Sequence, residues 1–312
     1  MKRVLLTGAS GFIGRNCLPL LLERDYEVHA VSLKSAQLPI NGIHWHRADL
    51  LDPGSVAKLV AAVAPSHLLH FAWFVVPAEY QYSEENLRWC QAGIELLRQF
   101  AAAGGQRAVF AGTCFEYDFS YGYCSETLTP CVPHTRYGAS KLALAQLLTR
   151  FPPAGLSTAW CRIFHLFGPH EPPNRLVPSV ILALLKGDRV KCTHGRQVRD
   201  FLHVADVASA FVAILDSAID GMVNIGSGMP ISLKRMVATI AEMLGAADKI
   251  DFGAISAPAN DPPLLIPRVE RLHDAVGWTP RWELGEGIAD TIHWWRNRQA
   301  NLNDGILEKR LP

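Results

Sequence analysis

The first 165 residues alternate short apolar runs of strand length with longer helical patterns, and that alternation restricts the chain to a parallel sheet with helices covering both faces. Strands are expected at 3–7, 27–32, 43–47, 67–72, 107–111 and 157–163, with helices at about 12–24, 53–63, 84–103 and 135–150. Pro19 lies inside the first helix, where it removes one backbone hydrogen bond and crowds the carbonyl of Arg15, so a kink is expected there. After Gly168 the pattern loosens into Pro-rich loops and separate helices near 175–186, 203–216, 232–244 and 284–299. With 312 residues, 49% of them hydrophobic, the chain can bury a large core and fits a major domain joined to a smaller one. No internal repeat or low-complexity segment occurs, and the residues after Asn301 read as a loosely held tail.

Composition excludes several classes of partner. A formal net charge of +1 with scattered Lys and Arg is unlike the clustered basic face of a nucleic-acid binder. No apolar run approaches the roughly 18 residues of a membrane span, and Met1-Lys2-Arg3-Val4 passes straight into a strand, so a cytoplasmic protein is expected. The seven cysteines lack metal-like spacing and read as reduced thiols. Cys124, Cys131 and His134 share a loop but form no recognisable zinc pattern, and no metal is expected.

The strand Val4-Leu5-Leu6-Thr7 enters Gly8-Ala9-Ser10-Gly11-Phe12-Ile13-Gly14 and then a helix. Glycines let the backbone turn tightly and approach a pyrophosphate, whose charge is met by the free N–H groups of the helix N-terminus. This strand-turn-helix context makes residues 1–165 a dinucleotide-binding domain of the Rossmann type. Asp49 and Leu50, after the third strand, are placed to meet the adenine ring, and Phe71 and Ala72, ending the fourth, to floor the cofactor. An acidic residue at the end of the second strand would bond the ribose hydroxyls of NAD; Ser32 stands there instead, with Lys34 nearby and Arg15 just after the third glycine. Cations in those places can pair with a 2′-phosphate, so NADP(H) is preferred over NAD(H).

Tyr137 and Lys141 share one helix face at i, i+4 spacing. A free phenol titrates near about pH 10, and an ammonium held close favours the phenolate, so the pair reads as one acid/base unit. Residues 112–134 form a connection too long for a compact domain without a task, and they carry Phe115, Tyr117, Phe119, Tyr121 and Tyr123. Such a loop either borders a ligand or packs as a flap on its own aromatics.

Taken together the motifs resemble those of the extended short-chain dehydrogenase/reductase family, in particular its nucleotide-sugar epimerases, dehydratases and reductases. The resemblance spans nearly the whole chain. It is carried by the glycine turn, Asp49-Leu50, Phe110-Ala111-Gly112-Thr113 four residues before Tyr117, Tyr137 with Lys141, and Arg162-Ile163-Phe164-His165-Leu166-Phe167-Gly168-Pro169. Arg199-Asp200-Phe201-Leu202-His203-Val204-Ala205-Asp206-Val207, Asn224-Ile225-Gly226-Ser227-Gly228 and Gly277-Trp278-Thr279-Pro280 complete it. It implies a smaller, mixed substrate-binding region over 166–312 that holds a nucleotide-diphosphate sugar, with segments near 200–225 returning to the first domain. It implies that Thr113 orients the reacting oxygen, that Tyr137 is the general acid/base, and that Lys141 binds the nicotinamide ribose while keeping Tyr137 acidic. Phe164 is placed with the cofactor contacts, Arg199 on the sugar-nucleotide diphosphate, and Arg175, Leu176 and Val177 in the nucleotide pocket. A homodimer is also implied, through a four-helix contact formed by helices 84–103 and 135–150.

Departures from the family pattern narrow the activity. Dehydratases of the family follow the catalytic threonine with Asp-Glu, whereas Cys114 and Phe115 follow Thr113, which disfavours dehydration. Fucose-forming epimerase-reductases use a cysteine where Phe115 stands and a histidine that His170 matches, so half of their proton-transfer pair is missing; His170 is a candidate sugar contact. Glu116, where the family is usually apolar, is either an ion-pair partner or a sugar contact. His165 replaces the usual sugar-binding asparagine, and Pro258 stands where a second phosphate-binding arginine is usual, leaving Arg268 as the candidate substitute. The expected activity is reduction of an NDP-4-keto(-6-deoxy) hexose by NADPH. The alternatives are a 4-epimerase with retained NAD and a non-catalytic dinucleotide sensor on the same fold.

Overall fold

In the computed structural model, which describes residues 2–33 and 40–303, the chain runs β1 (Arg3–Thr7), α1 (Gly14–Leu22), β2 (Glu27–Ser32), β3 (Ile43–Arg47), α2 (Pro53–Val63), β4 (His67–His70), α3 (Glu85–Ala102), β5 (Arg107–Thr113), β6 (Tyr123–Cys124), α4 (Arg136–Arg150) and β7 (Ser157–Ile163). It continues with β8 (His165–Phe167), α5 (Leu176–Leu185), β9 (Val190–Cys192), β10 (Val198–His203), α6 (Val204–Asp216), β11 (Gly221–Ile225), β12 (Pro230–Ser232), α7 (Leu233–Met243), β13 (Ile250–Phe252), β14 (Leu264–Pro267), α8 (Glu270–Val276) and α9 (Leu284–Asn303).

Seven strands form one sheet in the order β11-β7-β5-β4-β1-β2-β3, and every pairing in it is parallel. Strand order reverses between β1 and β4, and in open α/β sheets the crevice at such a reversal is where ligands bind. Both faces are covered, as the continuous apolar runs of the central strands require. Helices α1 and α6 bury Cys17, Leu18, Leu21, Val207, Phe211 and Leu215 on one face. Helices α2, α3 and α4 bury Val56, Leu96, Phe100, Leu144 and Leu148 on the other. Each such large side chain contributes about 1.5–3 kcal/mol by leaving water. A separate core of Val180, Ile181, Met236, Ile240, Ile288 and Trp295 holds α5, α7 and α9 together as a second lobe.

The differences from sequence expectation bear on the site. Helix α1 starts at Gly14, later than expected, and continues through Pro19. Strand β4 ends at His70: Phe71 N still donates to Thr7 O at 3.2 Å, but Ala72 N turns to the Thr7 side chain, with Oγ1 at 3.4 Å. Strand β5 runs two residues further than expected, pairing Gly112 with Arg162 and Thr113 with Ile163, so Thr113 stands in the rigid ladder. Strand β11, inside the segment near 200–225 expected to return to the first domain, lies in the main sheet beside β7. Of the residues on the implied dimer helices, Leu87, Ile94 and Leu147 are exposed, whereas Leu97 is buried in the core of its own chain.

Candidate active site

The site begins where β1 turns into α1. Gly8 has φ +67°, a left-handed conformation, and a Cβ there would meet Ala72 N at 2.8 Å, so only glycine lets the turn lie against the end of β4. Ile13 caps α1 without a side-chain hydrogen bond among the described residues, while Arg15 N donates to Gly11 O at 3.2 Å and Asn16 N to Ile13 O at 3.0 Å. The close turn, with Ser10, Gly11, Phe12, Ile13 and Gly14 along it, and a helix start that no described side chain covers fit a dinucleotide pyrophosphate. At the adenosine end, Asp49 accepts from Leu51 N at 2.9 Å, which fixes the loop that follows β3. Leu50 is buried beside it.

Ser32 closes β2 and pairs in register with Arg47, a cation that sequence reasoning overlooked because strand register was unknown. Arg15 instead directs its guanidinium to His170 Nδ1. Lys34 lies outside the described residues. The Phe164 ring is buried with Cys114, Tyr117, Cys124 and Leu265.

Thr113, Tyr137 and Lys141 converge where β5 meets α4. Thr135 caps α4 by accepting from Gly138 N at 3.1 Å. Gly138 itself is required, since a Cβ there would come within 2.2 Å of Phe115 O. That close approach brings Tyr137 to the turn carrying Thr113. The phenol stands among Tyr80, Phe115 and Trp73, with ring centroids 5.0, 6.1 and 6.5 Å away and all three edge-on.

The electrostatics of this group reverse the sequence expectation. Burial pushes the Tyr137 phenol well above its ordinary value, Tyr80 pushes the same way, and the Thr113 hydroxyl pulls back. Lys141 shares the helix face, but its Nζ donates to Ala111 O at 2.7 Å and lies 3.8 Å from the centroid of the Trp73 ring. Burial brings its pKa down to about 7, with Glu116 and Cys90 opposing the fall. The phenol is therefore held protonated, and the lysine is the group poised near neutrality.

Glu116 is an ion-pair partner. It has no exposed surface, and its Oε1 accepts from Thr113 N at 2.9 Å and Trp160 Nε1 at 2.8 Å. Its Oε2 takes Arg162 Nε at 2.8 Å. The substrate-contact assignment is therefore corrected: the fully buried carboxylate holds the turn that carries Thr113.

On the other side of the cleft, His165, Arg175 and Arg199 come together. Burial lowers the His165 pKa to about 3, with Arg199 and Arg175 adding repulsion. Arg175 lies over the Tyr80 ring at 5.4 Å, which links this group to the Tyr137 wall. Arg199 is almost wholly buried and is paired with Asp261. Leu176, half-buried, opens α5 next to Arg175. Three other assignments change. Val177 is turned into the second-lobe core, because the first turn of α5 packs there. Arg268 pairs at the surface with Glu270, Nε to Oε2 at 3.3 Å. His170, with φ +73°, is held by Arg15 and by Trp294, whose ring centroid is 4.5 Å away. Burial and two arginines, Arg15 and Arg298, bring its pKa to about 4, so it is neutral.

Sequence reasoning missed Trp73, Tyr80 and Glu171. The two aromatics have no motif; they become visible only once the loop after β4 is seen folding over α4. Glu171 is 8% exposed, its Oε2 has no hydrogen-bond partner among the described residues, and burial raises its pKa to about 8 against the pull of Arg175. Between pH 4.5 and 8 the unfolded chain releases the proton that the folded chain keeps, so this group takes away stability as pH rises. Glu171→Gln is expected to raise stability by about 2–4 kcal/mol at pH 8, with the gap shrinking by pH 5.5. Thermal denaturation of both proteins at the two pH values measures it, and an equal gap at both would contradict the buried-acid reading.

Comparison with known proteins agrees with the fold and the motifs. Similar curated proteins include UDP-glucuronic acid decarboxylase 1 of Xenopus tropicalis, 28% identical with 100% of this chain and 76% of that protein covered. UDP-glucose 4-epimerase of Rhizobium leguminosarum bv. trifolii is 25% identical, with 94% and 97% covered. Among solved structures, MoeE5 in complex with UDP-glucuronic acid and NAD superposes with a TM-score of 0.81 at 30% identity, covering 95% of this chain and 99% of that one. UDP-glucose 4-epimerase of Thermotoga maritima, with UDP-glucose, shares the fold at a TM-score of 0.82 and 20% identity, with the same coverage. Residues 4–226, from β1 through the seventh strand of the sheet, match the NAD dependent epimerase/dehydratase family, and the chain belongs to it.

Proposed function

We propose that the protein is an NAD(P)-dependent oxidoreductase of nucleotide-diphosphate sugars, and that it reduces a 4-keto (commonly 4-keto-6-deoxy) hexose with NADPH. The observation that carries this reading is the protonated Tyr137 phenol beside Thr113 at the crevice of a dinucleotide-binding sheet. A reductase begins turnover with its acid protonated, and burial supplies that state. The nicotinamide, when bound, supplies hydride to the carbonyl carbon. Tyr137 gives its phenolic proton to the carbonyl oxygen. Thr113 Oγ1 accepts from Phe115 N at 3.3 Å, which holds the hydroxyl in place, and its proton is the one offered to the same carbonyl oxygen. Arg199, Arg175 and His165 are the groups for the nucleotide diphosphate, and Asp261 leaves that set only moderately cationic. Ser32 in place of an acid, with Arg47 beside it, supports NADP(H).

A 4-epimerase with retained NAD is the second reading, supported by the epimerases among the relatives and by the NAD in the MoeE5 complex. Cofactor behaviour separates the two. A reductase consumes one NADPH per sugar, whereas an epimerase inverts C4 without added cofactor. In either case Tyr137→Phe is expected to lower kcat by about 100- to 10,000-fold. NADPH oxidation at 340 nm with an NDP-4-keto-6-deoxyhexose checks the reductase and C4 inversion of a nucleotide sugar checks the epimerase, and full turnover by the phenylalanine variant removes the catalytic assignment.

A further inference from the structure

Lys141 is only 3% exposed, and one backbone carbonyl is its single hydrogen-bond acceptor among the described residues. An ammonium has three donors, and in a dry pocket the remaining charge needs another source of stabilisation. The indole of Trp73 stands in that place, with Nζ 3.8 Å from the ring centroid; Trp160 is further off at 5.6 Å. Trp73 is itself fixed. Its Nε1 donates to Asn86 Oδ1 at 2.9 Å, and Asn86, which is fully buried, donates from Nδ2 to Tyr80 O at 2.6 Å and Ser83 O at 2.9 Å. The ring thus cannot turn its face away without breaking a buried hydrogen bond.

We propose that Trp73 is the positioning residue of the Lys141 ammonium: its fixed indole face holds the cation at the end of β5, beside the Tyr137 wall. The inference rests on the role given to Lys141 above. Other titratable groups around the ammonium are Glu116 after β5, Cys90 on α3, His70 on β4 and Tyr137 on α4. Only Glu116 among them offers a full opposite charge, and it is already committed to Arg162. The aromatic face is therefore what distinguishes this lysine from an unpaired buried cation.

Titration of the Lys141 side chain by 15Nζ NMR, assigned through Lys141→Met, tests this without turnover. In Trp73→Leu the midpoint is expected about one pH unit lower than in the native protein, and Trp73→Phe, which keeps a ring face, restores most of it. Asn86→Ser, which frees the indole N–H but leaves the ring, shifts the midpoint the same way by less and carries the test if the leucine variant does not fold. The corresponding limb of the kcat/KM pH profile moves with the midpoint. An unchanged midpoint in Trp73→Leu, or equal loss in Trp73→Phe, overturns the proposal and makes Trp73 a packing residue. If the native protein turns over no nucleotide sugar, the functional reading fails while the NMR midpoints still decide the role of Trp73.

Discussion

Lys141→Met should unfold at a higher temperature than the native protein while losing at least about 100-fold in turnover. The lysine titrates near 7 in the folded chain against 10.5 as its ordinary value, and its burial is nearly complete. Below pH 7 both folded and unfolded chains carry the proton, and the cost of the buried charge is present in full. From pH 7 to 10.5 the unfolded chain binds the proton and the folded chain does not, so stability rises with pH across that window. Methionine fills a similar volume without charge, which makes the expected gain about 2–5 kcal/mol at pH 6, narrowing steadily toward pH 10. Urea denaturation of both proteins at pH 6, 8 and 10 measures the gap. A methionine variant that is less stable at pH 6 would show that the lysine is well solvated or fully paired, and would remove the argument that its charge is kept for chemistry. This is the trade expected of a functional site, where a group that weakens the fold persists because the reaction needs it.

Such a site was partly legible from the chain alone. The alternation of strands and helices, the glycine turn and the spacing of Tyr137 and Lys141 are local patterns, and the structure places them as periodicity requires. Electrostatics was not legible. Spacing of four on a helix places two side chains on one face, but Ala111 O and the Trp73 ring, from two other elements, decide where the ammonium turns. The three- and four-residue strands after residue 164 were missed because they are too short to show alternation, and their partners are long-range: β8, β12 and β14 pair with β10, and β9 with β13. Arg199 illustrates the same limit: the motif places it, but Asp261, 62 residues away, sets its charge balance.

Glu116 carries the second large effect. It is the acceptor for Thr113 N–H and Trp160 Nε1–H and the counter-ion of Arg162, whose guanidinium also lies 4.4 Å from the centroid of the Tyr117 ring. Tyr117 in turn donates to Asn224 Oδ1 at 2.8 Å, so the pair sits under a network joining β5, β7 and β11. Glu116→Ala leaves the arginine charge buried and unpaired, and the expected loss is about 3–5 kcal/mol, or roughly 5–15 °C in Tm. Much of that loss belongs to the stranded cation and not to the pair itself. Adding Arg162→Met should therefore recover a large part of it, and a double-mutant cycle by thermal denaturation measures the recovery. Activity should not recover in the double variant. The carboxylate also holds the Thr113 turn and supports the charge on Lys141, and both contributions remain absent. Equal recovery of stability and turnover would mean that Glu116 serves the fold alone.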